Sequence, residues 1–166
     1  MEEKVCSFTG HRDIKREHLS FLPDLLDRSI EYAYGEGCRV FLTGGAIGFD
    51  TVAARQVVKF RMHHRDVRLI LVLPCMNQDE KWSNAQKKSY QFLLKEADEV
   101  VYVSDEYDKG CMARRNMYLA SKADILIAYL SKSMSGAGQT VRMAEQMQKT
   151  VFNLYGRLER QNKNEE

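Results

Sequence analysis

Phe41-Leu42-Thr43-Gly44-Gly45-Ala46-Ile47-Gly48-Phe49-Asp50 carries an apolar run straight into three glycines within five positions, and then into an acid. A strand that ends in a glycine-rich turn and opens a helix lets backbone N–H groups converge on an anion, and the helix N-terminus adds a favourable field. The same glycines also suit a tight strand-to-helix connection that binds nothing. Asp50 has two readings as well: a carboxylate favoured by the helix dipole, or a partner for a ribose hydroxyl. If the glycines face an anion, valine at Gly45 blocks binding and leaves the fold intact.

Outward from this stretch, short apolar runs at residues 4–8, 39–42, 67–73, 99–103, 124–130 and 150–154 read as buried strands. Segments with helical spacing separate them. Their apolar stripes are Leu22, Leu26, Ile30 and Ala33; Ala53, Val57 and Phe60; Ala85, Ser89, Phe92 and Leu93; Ala113, Met117 and Ala120; Val141 and Ala144. Alternating strands and helices with near-continuous apolar strands predict an α/β, Rossmann-like three-layer sandwich around a mostly parallel sheet. Pro23 fits the first turn of the first helix, and Gly35 and Gly37 close it. One domain over residues 1–156 is expected, followed by a charged tail, 157–166, in which Leu158 is the one residue able to dock.

The chain has 166 residues, 44% of them hydrophobic, enough for one core. Its 25 basic and 23 acidic side chains leave a formal charge of only +2. That gives no global field for nucleic acid or an anionic membrane. The first residues lack the basic region and long apolar core of a secretory signal, and no apolar run reaches membrane-spanning length. Cys6, Cys38, Cys75 and Cys111 are scattered without a C-x-x-C pair. They suggest neither zinc nor a disulfide framework, and a reduced, cytoplasmic protein is expected. His63-His64 makes no recognisable ligand set with the cysteines, so no metal site is expected there; the pair reads as the solvated end of a helix.

In an open parallel sheet, ligands bind beyond the carboxyl ends of the strands. Thr9-Gly10-His11-Arg12 follows the first predicted strand, the glycine cluster the second, and Ser131 to Thr140, with Gly136 and Gly138, the fifth. All fall at one edge, which favours a ligand site over three unrelated turns. Arg12 offers a guanidinium fork suited to phosphate, and Thr140 either caps a helix or meets a phosphate oxygen. Arg114, Arg115 and Asn116 lie on the fourth helix, where adjacent residues diverge and only one arginine can face the crevice. Arg115 is the one expected there. Trp82 is read as a hydrophobic anchor for its loop, or as a cover over a base.

Taken in order, Thr9-Gly-His-Arg12, Gly44-Gly-Ala-x-Gly-x-Asp50, Gln78-x-x-x-Trp82, Arg115-Asn116-x-Tyr118 and the Gly136-to-Thr140 turn resemble the YpsA-like branch of the SLOG superfamily. The resemblance spans residues 8 to about 154. It implies a Rossmann-like domain binding a nucleotide or an ADP-ribose-like ligand, with no assigned reaction and no separate cofactor. Gly10, His11, Arg12, Gly44, Gly45, Gly48, Asp50, Arg115, Asn116, Gly136, Gly138 and Thr140 are the expected ligand residues. Related branches are the LOG-type phosphoribohydrolases and the DprA-type single-stranded DNA binders, which supply the alternatives: N-glycosidic hydrolysis of nucleoside monophosphates, or DNA binding. The hydrolase pattern P-G-G-x-G-T-x-x-E is incomplete here. Proline is missing, Met143 stands at the glutamate's place, and Glu145 falls on another side of the helix. Asp50 is the remaining acid. The low net charge makes nucleic acid the least favoured partner, and a homo-oligomer stays open.

Overall fold

The computed structural model describes residues 3–131 and 135–165. Strands β1 (Lys4–Gly10), β2 (Cys38–Thr43), β3 (Arg68–Leu73), β4 (Glu99–Tyr102), β5 (Ile125–Tyr129) and β6 (Thr150–Asn153) form a sheet in the order β4-β3-β2-β1-β5-β6. Every neighbouring pair is parallel. Helices α1 (Leu22–Gly35), α2 (Phe49–Arg61), α3 (Asn84–Glu96), α4 (Cys111–Lys122) and α5 (Gly136–Gln146) make the crossovers. The chain builds the sheet outward from β1 to β4, then returns through α4 to lay β5 on the other side of β1. This is the α/β, Rossmann-like architecture expected from the apolar pattern, and the reversal between β1 and β5 places its switch point.

The strands read as near-continuous apolar runs because both faces are covered. Along β5 the side chains alternate: Ile125, Ile127 and Tyr129 join the core beneath α1 and α2, while Leu126 and Ala128 pack with Val141 and Ala144 of α5. On α1 the expected stripe is the buried one, Leu22, Leu26, Ile30 and Ala33. Gly37, at φ +108°, turns the chain into β2. Helix α3 begins with a capping box in which the Ser83 hydroxyl accepts from the Gln86 N–H and the Gln86 side chain accepts from Ser83 N–H.

Several stripes differ from the sequence expectation. On α3 the buried residues are Tyr90 and Leu93, whereas Phe92 stays accessible under the Arg55 guanidinium. On α4 they are Cys111, Arg115, Asn116, Leu119 and Ala120, and Met117 is exposed. Arg115 is thus part of the buried stripe itself, held there by hydrogen bonds that an apolar pattern does not reveal. His64 lies beyond the end of α2 and stacks on Phe60 at 3.8 Å between centroids, so it anchors the turn rather than ending a solvated helix. Trp82 packs edge-on against Tyr90 at 5.1 Å, the anchoring role.

Residues read as a charged tail continue a sixth helix, α6 (Tyr155–Glu165), which docks rather than frays. Leu158 is fully buried, and Glu159 meets Lys15 at 2.6 Å and the buried His18 at 3.2 Å. His18 sits on a 3-10 turn, Arg16–His18, and its Nδ1 contacts the Tyr129 hydroxyl at 2.7 Å.

Candidate functional site

At the carboxyl ends of β1 and β5 lies a cavity of about 340 Å³. Its walls are the end of β1 and the residues after it (Thr9, Gly10, His11, Arg12), the glycine turn and first turn of α2 (Ala46, Asp50), one side of α4 (Met112, Arg115, Asn116, Leu119) and the entry to α5 (Ser135, Gly136, Ala137, Gln139). The expected residues Gly10, His11, Arg12, Asp50, Arg115, Asn116 and Gly136 therefore share one cavity. Lys132, Ser133 and Met134, in the fifth loop, lie outside the described residues.

Gly44, Gly45, Gly48, Gly138 and Thr140 do not line it, and each has a structural task. A Cβ on Gly44 would press on the Arg115 guanidinium and the Asp50 carboxylate. Gly45 has φ +67°, and a Cβ there would point at Leu73, 2.6 Å away, and Tyr90. Valine at Gly45 would therefore strain the core instead of blocking an anion. Gly48, at φ +83°, would drive a Cβ into the Arg12 backbone. Thr140 is buried and donates to the Gly136 carbonyl at 3.2 Å. The cap of α5 is Ser135, whose hydroxyl accepts the Gly138 N–H at 3.1 Å. The glycine cluster thus shapes the turn closely enough for two charged side chains to cross above it.

Those two are Arg115 and Asp50, 6% and 5% exposed. Arg115 donates through one terminal nitrogen to the Gly44 carbonyl at 2.9 Å and through Nε to Asn116 Oδ1 at 3.0 Å. Asn116 in turn donates to Gln139 Oε1 at 3.1 Å, tying α4 to α5. Asp50 accepts the Ala46 N–H at 3.3 Å through Oδ2, while its buried Oδ1 has no hydrogen-bond partner. Burial pushes the Asp50 carboxyl up to about 6, against the opposing pull of Arg115, the Ala46 N–H and Arg12. The Asp50 Oδ1 is thus a buried acceptor that no group among the described residues satisfies.

At the mouth, Arg12 is exposed and has no ion-pair partner among the described residues. His11 Nε2 accepts the Ser131 N–H at 2.9 Å, which puts the ring proton on Nδ1. Burial lowers the His11 pKa from its ordinary value, with Asp13 opposing, so the neutral ring is favoured. By contrast Arg114 is exposed on the outer side of α4 and pairs with Asp108 at 2.7 Å. Nothing in the sequence pattern singles out Ala137 or Gln139 as cavity residues; Ser135 ahead of a helix is a readable cap signal, but the Gln139 contact across two helices is not.

Residues 8–155 match the model of the YspA SLOG family (YpsA). The chain belongs to that family. Its membership agrees with the order of turns around the cavity, because the matched span runs from the end of β1 to the start of α6. The Bacillus subtilis relative described as an uncharacterised SPbeta prophage-derived protein, YoqJ, is 26% identical over 144 residues, 80% of each chain. Among solved structures, DNA processing protein A (DprA) of Streptococcus pneumoniae superposes with a TM-score of 0.67 at 19% identity, over 91% of this chain and 50% of its own. The Helicobacter pylori DprA, described in terms of its single-stranded DNA binding mode, gives 0.65 at 19%, over 90% and 64%. This chain therefore spans about half to two thirds of those proteins, and at such identity the likeness concerns the fold. No helix among the described residues is long and apolar enough to cross a membrane.

The Asp50 shift has a measurable consequence for stability. Its folded value, about 6, stands above the ordinary 3.8, so between these values the folded state holds more protons than the unfolded one. Stability from this group is therefore lost as pH rises from about 4 to about 6, and is flat above. Asp50→Asn is expected to gain on wild type across that window, by up to about 3 kcal/mol at pH 7. Urea denaturation of both proteins at about pH 4.5 and pH 7 checks it; a constant difference between them would mean that Asp50 is not the strained group.

Proposed function

We propose that the cavity binds a nucleotide or a nucleotide-derived, ADP-ribose-like ligand. One observation carries this reading: a cationic mouth, Arg12 with the N-terminus of α5, opens onto a buried carboxylate whose Oδ1 lacks a partner. A phosphate suits the first, since helix N–H groups and a guanidinium both favour an anion. A sugar hydroxyl suits the second, since it donates a hydrogen bond where an anion would be repelled. The volume falls in the range of about 300–1,000 Å³ usual for small-molecule sites. Membership in the SLOG family and the DprA-like fold are consistent with such a ligand.

The test is native mass spectrometry of protein purified from cells, followed by calorimetric titration with AMP and ADP-ribose. Retained nucleotide-like mass, or saturable binding that is lost in Arg115→Ala, supports the reading. Binding by neither ligand, with no retained mass, counts against it.

A second reading, N-glycosidic hydrolysis, draws on Asp50 alone, whose value near 6 suits proton transfer at neutral pH. Met143, at the position expected for an acid, packs on the apolar cluster of α5, and Glu145 is exposed. Incubation with nucleoside monophosphates is therefore expected to release no free base above a protein-free control, as read by chromatography. Base release that disappears in Asp50→Asn would instead establish the hydrolase. Single-stranded DNA is the least favoured ligand, for the formal charge is only +2. Binding of DNA that weakens steeply with salt would restore that reading.

A further inference from the structure

Gln139 lines the ligand cavity from the beginning of α5 and is half-buried. An amide side chain offers an acceptor at one corner and two donors at the other, so which corner is tied down decides what the other presents. Two residues on α4 decide it here. The nitrogens of an arginine only donate, and Arg115 Nε lies 3.0 Å from Asn116, so the Asn116 atom it meets is the oxygen, Oδ1. The other corner of Asn116, Nδ2, is then a donor with two acceptors to serve, Gln139 Oε1 at 3.1 Å and the Gly136 carbonyl at 3.4 Å. The Gln139 oxygen is therefore the atom held by Asn116, and Nε2 meets no acceptor among the described residues. Turning the Gln139 amide over would set its donors against those of Asn116. With Arg115 and Asn116 both buried, neither has water to fall back on.

The surroundings of Gln139 favour an anion as the acceptor that Nε2 lacks. Gly136 and Ala137, from the same turn of α5, also line the cavity, and the Ser135 hydroxyl is spent on the Gly138 N–H. A helix start attracts negative charge, and Arg12 adds a guanidinium to the same cavity. The lining carboxylate, Asp50, belongs to α2 instead. We propose that Gln139 is a ligand-binding residue that donates through Nε2 to a phosphate oxygen of the bound nucleotide, and that Asn116 is the positioning residue that holds the amide this way round. The inference rests on the nucleotide reading of the cavity and adds to it the place of the phosphate, at the start of α5, with Asp50 left to the sugar.

Calorimetric titration with AMP, and ligand-observed NMR with adenosine, test this on wild type and variants. Gln139→Glu keeps an oxygen for Asn116 to donate to and replaces the amide donor by a second oxygen. Its melting temperature is expected to hold while AMP affinity falls about ten- to a hundredfold, the loss of a hydrogen bond to a charged group. Adenosine has no phosphate, so the preference for AMP over adenosine is expected to narrow by that factor. Asn116→Asp places an oxygen where Nδ2 was, which turns the Gln139 amide over and is expected to narrow the same preference without touching Gln139. That effect is expected to shrink in a Gln139→Ala background, as coupling through Gln139 requires and a plain charge effect does not. Wild type that binds neither AMP nor ADP-ribose removes the nucleotide reading and this inference with it. AMP bound equally by wild type and Gln139→Glu overturns the role of Gln139 alone, and so do equal losses for AMP and adenosine, which would place the effect on the cavity as a whole. An Asn116→Asp effect that is absent, or as large without Gln139 as with it, overturns the positioning role.

Discussion

Gly48→Val is expected to cost more stability than any other single change in the glycine cluster. Gly48 is the residue before α2, at φ +83° and ψ −127°, a region essentially closed to side-chain-bearing residues. Holding valine there costs about 1–3 kcal/mol in backbone strain alone. The steric problem is worse than the strain. A Cβ would overlap the carbonyl of Arg12, and that backbone has little room to retreat because Phe49 N–H donates to the His11 carbonyl at 3.1 Å. Phe49 is fully buried and stacks on Tyr129 at 5.7 Å, so moving the start of α2 away from β5 opens the core. A loss of about 4 kcal/mol or more is the range reached only by such backbone and core conflicts. For a chain of this size it lowers the melting temperature by roughly 8–16 °C. Gly45→Val meets a side chain, Leu73, instead of backbone, and is expected to lower it by less. Thermal melts of Gly48→Val, Gly45→Val and wild type decide the order. Equal melting of wild type and Gly48→Val would mean that the turn is not built as described.

The contrast explains what the sequence could and could not reveal. Strand positions were legible within a residue or two, because burial on both faces leaves an uninterrupted apolar run, and the parallel order follows from the helices between them. The location of the cavity was legible too, since loops after β1, β2 and β5 must meet at one edge of such a sheet. What each glycine does was not. Gly44 leaves room for the Arg115 and Asp50 side chains, Gly45 for Leu73, and Gly48 for the Arg12 backbone, and none of those neighbours is adjacent in sequence. A glycine pattern shows that space is needed without showing what fills it. The α4 stripe failed for a related reason. Hydrophobicity cannot flag an arginine that is buried because a carbonyl 71 residues away accepts its hydrogen bond.

Arg115→Ala is expected to weaken nucleotide binding by about ten- to a hundredfold, the loss of one charge-assisted hydrogen bond of about 1.5–3 kcal/mol. The side chain spends one terminal nitrogen on the Gly44 carbonyl and Nε on Asn116, and it lines the cavity, so a ligand there is expected to meet the rest of the fork. Stability falls as well. Removing the guanidinium leaves the Gly44 carbonyl without its donor and takes from Asp50 the largest of the influences that hold its carboxyl down. The two effects separate in a double variant. Arg115→Ala with Asp50→Asn relieves the stranded acid and is expected to recover melting temperature without recovering affinity. Arg115→Lys is expected to recover only part of the binding, because a point charge cannot serve Gly44, Asn116 and a phosphate together. Arg114→Ala is the matched control: its exposed pair with Asp108 lies outside the cavity, and exposed pairs contribute little. Calorimetric titration with ADP-ribose at fixed salt, below the melting range of every variant, reads all four. Equal weakening in Arg114→Ala and Arg115→Ala would trace the attraction to a diffuse positive field, whereas loss confined to Arg115 assigns it to the buried fork between α4 and the glycine turn.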